Sequence, residues 1–399
     1  MNSQTKLAAM TDRRIACLLP DLPSPKQLLP YLEQMHANRH YTNFGPLAQQ
    51  FEHGLIHLII ANQQSNKDPK IAINACLCSS ATSALEIAIA ELALAEHSLV
   101  LLPALTFPAT ASAVMKNGLT PLISDVDSEL WQLTPEIAYK MAEHYTIKAV
   151  IPVATFGQPV DIKAWEIFSQ DTGIKVIVDA AGAFPFQPLS KSCPVVFSFH
   201  ATKSFGIGEG GAIFLGDQER CKTYNRLSNF GFHKGMVDEL GSNAKLSEYH
   251  AAVGLAQLKR WPALNKQRND ISRIYDNSLS EVTEVSTQTS NPCFEQRSLV
   301  PSLKVIQVKD NAAQIIEKMA SYNIFCRQWY LPALNRHPLF APFVATVDRA
   351  PSTSSNLPIS DSFQQRLVGL PFHNFLRPRQ IHHIVDCLSD CVYAFTSRK

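Results

Sequence analysis

No run in this 399-residue chain approaches the roughly 18 to 20 consecutive apolar residues needed to cross a bilayer. The N-terminus also lacks the charged start and unbroken apolar stretch of a secretory signal, so a soluble protein with no membrane partner is expected. Cysteine pairs at C-x-x-C spacing are missing: the nine cysteines are an odd number, and Cys387 and Cys391 merely sit one helical turn apart. A reducing, cytoplasmic setting is the simpler reading. His337, His373, His382 and His383 show none of the Cys or carboxylate spacing of a zinc site, so no metal is expected. Nor does one charge prevail, since 36 Lys and Arg stand against 34 Asp and Glu. These are scattered, without the basic clusters that hold nucleic acid or an anionic membrane. An anionic ligand must then be held by a local site.

What is present points to a folded catalyst. Apolar residues make up 46% and charged residues 18% of the chain, an ordinary globular balance, and the length favours a large domain with a smaller one. Between about Ile71 and Leu215, short β-branched runs alternate with amphipathic stretches, the pattern of a doubly wound α/β sheet. Strands are expected at Lys70–Asn74, Leu99–Leu102, Pro121–Ser124, Lys148–Val153, Lys175–Asp179, Val195–Phe199 and Gly211–Leu215. Most are too apolar to be one-sided, as buried parallel strands should be. Helices fit between them at Thr82–Leu94 and Pro135–Tyr145, the second opened by Thr134 as cap and Pro at the first helical position. A long helical stretch from Ser247 to about Leu279 is interrupted at Trp261-Pro262, where we place the boundary between a domain of residues 1–261 and a C-terminal domain of 262–399. Val347 to Pro358, rich in Ser, Thr and Pro, reads as an exposed loop.

Chemistry concentrates around Phe197-Ser-Phe-His-Ala-Thr-Lys203-Ser-Phe-Gly-Ile-Gly-Glu-Gly-Gly211, a lysine just past an apolar strand, then a glycine-rich turn and another strand. A lysine acting as nucleophile or imine needs a site that disfavours its ammonium form, which a strand end in a closed cleft provides. Taken alone, such a lysine is more often a solvated surface group. Its neighbours alter that reading. Lys175-Val-Ile-Val-Asp179 ends another buried strand on a carboxylate, and open α/β sheets bind ligands outside the carboxyl ends of their strands. A carboxylate there can pair with a pyridinium nitrogen or simply cap a turn. Ser80, Ala81 and Thr82 lie in a small-residue turn opening an amphipathic helix, where free N–H groups and the dipole suit a phosphate. Ordinary N-capping is the bland alternative. Gly206 to Gly211 matches G-x-G-x-x-G by spacing but leads toward a strand, whereas the dinucleotide fingerprint needs a helix. Phe230 to Gly235 is either a substrate-side loop or a plain connection.

The order of these motifs resembles the DegT-type nucleotide-sugar aminotransferases, a family within pyridoxal-phosphate (PLP) fold type I. Matching segments span nearly the whole chain: Pro103–Thr110, Ile151–Pro159, the Asp179 and Lys203 motifs, Asn243–Leu258, Leu357–Asp361 and Leu370–His373. The resemblance implies a large domain with a mixed, mostly parallel seven-stranded sheet between helices, plus a smaller C-terminal α/β domain. It implies PLP as cofactor, with Phe107 stacked on its ring, Asp179 at the ring nitrogen and Lys203 as the Schiff-base lysine. Ser80, Ala81 and Thr82 match the phosphate turn, Ser198 adds a hydroxyl, and Asn243 matches an asparagine that reaches the phosphate of the neighbouring subunit's cofactor. A homodimer with shared active sites follows. Two positions depart from the family: Ala81, where glycine is usual, and Gly182, where Gln or His usually lies near the cofactor's phenolic oxygen.

The function so implied is transfer of an amino group from L-glutamate, leaving 2-oxoglutarate, to a keto carbon of a nucleotide-linked deoxyhexose, dTDP- or another. The amino sugar would serve a surface polysaccharide or a glycosylated metabolite. The alternatives are another fold-type-I reaction on an amino acid, or a regulatory protein that keeps the pocket without turnover. Lys203 argues against the relatives that carry histidine there and act as sugar dehydratases.

Overall fold

The computed structural model describes residues 14–63, 72–294, 299–345 and 357–396. Helices α1 (Pro25–Asn38) and α2 (Pro46–Gln63) precede strand β1 (Asn74–Cys78) and helix α3 (Ala81–Ala90). The α/β alternation continues with β2 (Leu99–Pro103), α4 (Ala109–Lys116), β3 (Thr120–Ser124), α5 (Pro135–His144), β4 (Ile147–Val150) and α6 (Ile162–Thr172). Then follow β5 (Lys175–Val176), β6 (Val178–Asp179), β7 (Val195–Ser198), β8 (Gly211–Leu215) and α7 (Gln218–Leu227). Two four-stranded sheets result, in the orders β3-β2-β4-β5 and β6-β7-β8-β1. They abut at Ile177, whose N–H donates to Val150 O, while Asp179 N–H donates to Pro152 O. All pairings are parallel except those of β8, which runs antiparallel to both β7 and β1.

Both faces of these strands are buried, and their period of two splits them between two cores. Ala75, Leu77, Leu101, Val178, Phe197 and Phe214 face one core with α2, α6 and the start of a long helix. Cys76, Cys78, Leu102, Ile177, Val196 and Ile213 face the other with α3, α4 and α7. Five of the seven expected strands stand within a few residues of their predicted bounds, and Lys175–Asp179 is divided into β5 and β6. The first is displaced: the strand is Asn74–Cys78, and residues 70 and 71 lie outside the described residues. Its ladder with β8 explains the shift, because Asn74 pairs with Leu215 and Cys78 with Gly211. The helix at Pro135 starts as its cap predicted, with Thr134 Oγ1 accepting from Ile137 N–H at 3.4 Å.

Beyond β8 come a short hairpin, β9 (Phe232–His233) and β10 (Met236–Val237), and then α8 (Glu248–Leu279). The expected break at Trp261-Pro262 is absent: α8 runs through Pro262 as one 32-residue helix. Proline removes one helical hydrogen bond, to the carbonyl four residues back, but Trp261 and Leu264 are anchored in the main core on either side of it. The cores change over further along, since Ile271, Tyr275 and Leu279 belong to the C-terminal core. That core packs β11 (Val285–Thr287), β12 (Lys304–Val308) and β13 (Leu367–Leu370), an antiparallel sheet, against α9 (Ala312–Ser321) and α11 (Pro378–Thr396). Ile15 also sits in it, exchanging backbone hydrogen bonds with Asn323 and Phe325. Between the last two strands lies α10 (Pro358–Ser362). Of the expected loop, residues 347–356 lie outside the described residues.

Candidate active site

The turn after β1 sets the first wall. Ser80 is extended at φ −159° and caps α3, its Oγ accepting from Ser83 N–H at 3.1 Å. The next two N–H groups, of Ala81 and Thr82, have no acceptor within the helix and carry its positive end. Gly211, at the start of β8, lets this turn lie flat on the sheet: a Cβ there would stand 2.5 Å from Ala81 N and from Ser80 C. Gly206 to Gly211 does lead into β8, a strand and not a helix. Ser80, Ala81, Thr82, Phe107, Asp179, Ser198 and Lys203 all line one cavity of about 360 Å³.

Asp179 ends β6 on the floor of this cavity. Its Oδ2 accepts from Thr110 Oγ1 at 2.8 Å and its Oδ1 from Ala181 N–H at 3.1 Å. Thr106 Oγ1 lies 2.9 Å from Thr110 Oγ1. Burial pushes the Asp179 carboxyl above its ordinary range, countered by the Thr110 hydroxyl, the Ala181 N–H and the charge of Lys203. Burial likewise pushes the Lys203 ammonium below its ordinary range, against the pull of Asp179. Each group thus steadies the other's charge in a place where water does not. Ser198, at the end of β7, is buried and accepts from His200 N–H at 3.3 Å.

Phe107 presents an apolar face to the cavity: it is 61% exposed, although aromatic, and meets Tyr330 edge-on at 6.1 Å. Tyr330 in turn stacks on Phe156 at 5.4 Å. Tyr330 was not anticipated, because it arrives from the C-terminal unit and no local pattern marks it. His200, Thr202 and Glu209 also line the cavity. They stand close to Lys203 in the chain, where no spacing in the sequence marks a role for them. His200 Nδ1 lies 2.9 Å from Thr202 Oγ1, and its Nε2 lies 3.7 Å from Glu209 Oε1.

Gly182 has its space filled from outside the strand. A Cβ at that position would stand 2.7 Å from Ser302 Oγ and 3.2 Å from Gly157 N. Ser302 is held there by its N–H and hydroxyl, which donate to Phe156 O at 3.0 and 3.1 Å. Asn243 does not line the cavity of its own chain. It is exposed, and its Oδ1 accepts from Lys245 Nζ at 2.8 Å. An ammonium only donates, so the amide N–H groups point away from Lys245. The Phe230 to Gly235 segment forms the β9–β10 hairpin and stays off the cavity, with Phe230, Phe232, Met236 and Val237 exposed. Among the described residues, no group of three or more His, Cys, Asp or Glu could hold a metal ion, and no helix is long and apolar enough to cross a membrane.

Comparison with known proteins bears on what such a cavity does. The model of the DegT/DnrJ/EryC1/StrS aminotransferase family matches residues 25–389. The chain is 30% identical over 322 residues to the dTDP-4-amino-4,6-dideoxy-D-glucose transaminase of Shigella dysenteriae, covering 79% of this chain and 84% of that protein. It is 27% identical over 323 residues to the UDP-2-acetamido-2-deoxy-3-oxo-D-glucuronate aminotransferase of Pseudomonas aeruginosa, covering 78% and 85%. A solved structure from Bacillus cereus, described as a PLP-dependent aminotransferase, superposes with a TM-score of 0.82 at 27% identity over 94% of this chain and 99% of that one.

Proposed function

The chain belongs to the DegT/DnrJ/EryC1/StrS aminotransferase family, whose members are PLP-dependent, and from that premise we propose that it moves the amino group of L-glutamate onto a keto carbon of a nucleotide-linked deoxyhexose. The product amino sugar serves a surface polysaccharide or a glycosylated metabolite. The observation that carries this reading is the meeting of Lys203, Asp179 and the α3 N-terminus in one cavity, although they come from three separate turns.

The donor set fits PLP. Ala81 and Thr82 N–H groups, with the Ser80, Thr82 and Ser198 hydroxyls, suit a phosphate dianion. A buried carboxylate that accepts from two donors suits a protonated ring nitrogen, and the open face of Phe107 suits the ring plane. When bound, PLP supplies the electron sink for the carbanion at the substrate carbon. Lys203 would anchor the cofactor and, as a free amine, would carry a proton to and from the reacting carbon; burial, which lowers the affinity of Nζ for a proton, favours the neutral amine such a role needs. Tyr330 and Phe107 shield the reacting side from water. Asn243, exposed and off its own cavity, would reach a second copy of the chain and donate its amide N–H groups to the partner's cofactor phosphate, which makes the active unit a homodimer.

Two measurements test this. Borohydride reduction followed by peptide mapping is expected to place the cofactor adduct on Lys203, and an adduct on another lysine would remove the assignment. A panel of nucleotide-linked keto sugars, with L-glutamate as donor and mass spectrometry of products, is expected to yield an amino sugar. Turnover of amino acids alone, with every sugar refused, would favour amino-acid transamination instead.

A further inference from the structure

Thr106 and Thr110 lie in the turn Thr106-Phe107-Pro-Ala-Thr110, one on each side of Phe107 in the chain, and are buried to 2% and 0% exposure, where a hydroxyl needs a hydrogen-bond partner. With Asp179 ionised, their geometry admits one proton arrangement. A carboxylate only accepts, so the single Thr110 proton goes to Asp179 Oδ2 at 2.8 Å. Thr110 then has only lone pairs to offer, so the Thr106 proton goes to Thr110 at 2.9 Å. The chain runs Thr106 to Thr110 to Asp179, and each donation strengthens the next. Protonation of Asp179 on Oδ2 would oblige both hydroxyls to turn round.

We propose that Thr110, backed by Thr106, is a positioning residue that holds the Asp179 carboxylate ionised, in one rotamer and in register with the Phe107 face. The proposal rests on the reading of Asp179 as the ring-nitrogen partner. The turn that aims Phe107 at the cavity is closed on itself by the Thr106–Thr110 bond and tied through Thr110 to the group that meets the ring nitrogen, so ring plane and nitrogen partner are set by one unit. Ala181 N–H holds only Oδ1; without Thr110, Oδ2 loses its donor and the carboxylate can swing or take a proton.

The test uses the full-length protein with Thr110→Val, Thr110→Ser, Thr106→Val, Asp179→Asn and the double variant Thr110→Val with Asp179→Asn. PLP affinity is read by titrating the apoprotein, and the half-reaction with L-glutamate by stopped flow. Thr110→Val is expected to weaken PLP binding and lower the limiting half-reaction rate on the order of tenfold, the size expected for one hydrogen bond to a charged group. The half-saturating glutamate concentration should stay put. Thr110→Ser, which keeps the hydroxyl, should recover most of the loss, and Thr106→Val should cost less than Thr110→Val because it acts through it. In the Asp179→Asn background, Thr110→Val should add nothing. Full additivity in the double variant, or wild-type PLP affinity and rate in Thr110→Val, would overturn the proposal. Should Thr110→Val not fold, the Thr110→Ser and Thr106→Val ranking decides, and equal losses in both would overturn it. Wild-type behaviour of Asp179→Asn would overturn the underlying assignment of Asp179 and the proposal together, an outcome distinct from the others.

Discussion

A buried cation and a buried anion that face one cavity are each costly alone, and at this site each lessens the cost of the other. Asp179→Asn keeps the shape but cannot hold a proton on a ring nitrogen, so cofactor should still bind while the half-reaction with L-glutamate slows on the order of ten- to a hundredfold. Lys203→Ala should fall much further, since anchor and proton carrier are lost together; equal rates for wild type and Asp179→Asn in rapid-mixing experiments would make Asp179 a structural cap. A different carboxylate is strained by burial with no such purpose. Glu52, on α2, is pushed up to about 7 by desolvation. Its folded state therefore prefers the neutral form: between its ordinary value near 4.5 and about 7 the folded protein binds the extra proton, and stability from this group falls as pH rises through that window. Glu52→Gln should accordingly stabilise at pH 8 by at most about 3 kcal/mol, and the gain should vanish toward pH 4.5 in thermal melts; a gain independent of pH would exclude the carboxylate as its cause. At this scale Asp179 is legible because it ends an apolar strand, and Lys203 because it follows one and precedes a glycine-rich turn. Tyr330 and Ser302 are not, because their distance from the motifs along the chain hides them, and so the Ser302 Oγ that fills the space beside Gly182 leaves no local signal.

Elements show why motifs without chemistry are still specific. Glu248, in the Ser247-Glu248 motif that opens α8, is buried and accepts from Leu47 and Ala48 N–H at 2.9 and 2.8 Å, capping α2 from another element. Gly45 admits that carboxylate, since a Cβ there would stand 2.6 Å from Glu248 Cδ. Asp125, beyond β3, does the same for α10, accepting from Ile359 and Ser360 N–H, each at 2.8 Å. Ser247 is a local cap, accepting from His250 N–H at 3.3 Å, whereas a cap supplied by a residue 200 positions away leaves no local pattern. Glu248→Ala removes two charge-assisted bonds and the charge at a helix N-terminus, and should cost about 2 to 4 kcal/mol. A denaturant midpoint unchanged in Glu248→Ala would contradict this. The strands themselves were readable because two-sided burial leaves continuous apolar runs. The first was misplaced because Cys and Ala, small and not β-branched, carry little strand preference, and its pairing with β8 decides its position.

At the scale of the molecule, α8 joins the two cores without a break, Tyr330 brings the C-terminal unit onto the wall of the cavity, and Ser302 backs Gly182 from behind that wall. The site is therefore assembled from both units of one chain, and the proposed homodimer adds a third source. Asn243 carries that proposal: exposed, off its own cavity, with its amide N–H groups turned away from Lys245, beside a hairpin whose apolar residues face solvent. A monomeric protein rarely leaves such a cluster uncovered. In a two-fold dimer with shared sites, each site takes Lys203 from one subunit and Asn243 from the other. Asn243→Ala alone should weaken PLP retention in both sites while the fold stays intact, and Lys203→Ala alone should abolish turnover in both. When the two variants are mixed and allowed to exchange subunits, a heterodimer has one site with both wild-type residues and one site with both defects. Random exchange makes about half the dimers mixed, each with one working site, so about a quarter of wild-type activity should appear, above the mean of the parents. If each site used its own Asn243, every site in the mixture would still carry one defect, and no activity would be gained. Size-exclusion and native mass spectrometry on the same mixture establish that heterodimers formed, so an absence of gain with heterodimers present would rule out a shared site while leaving the chemistry at Lys203 untouched.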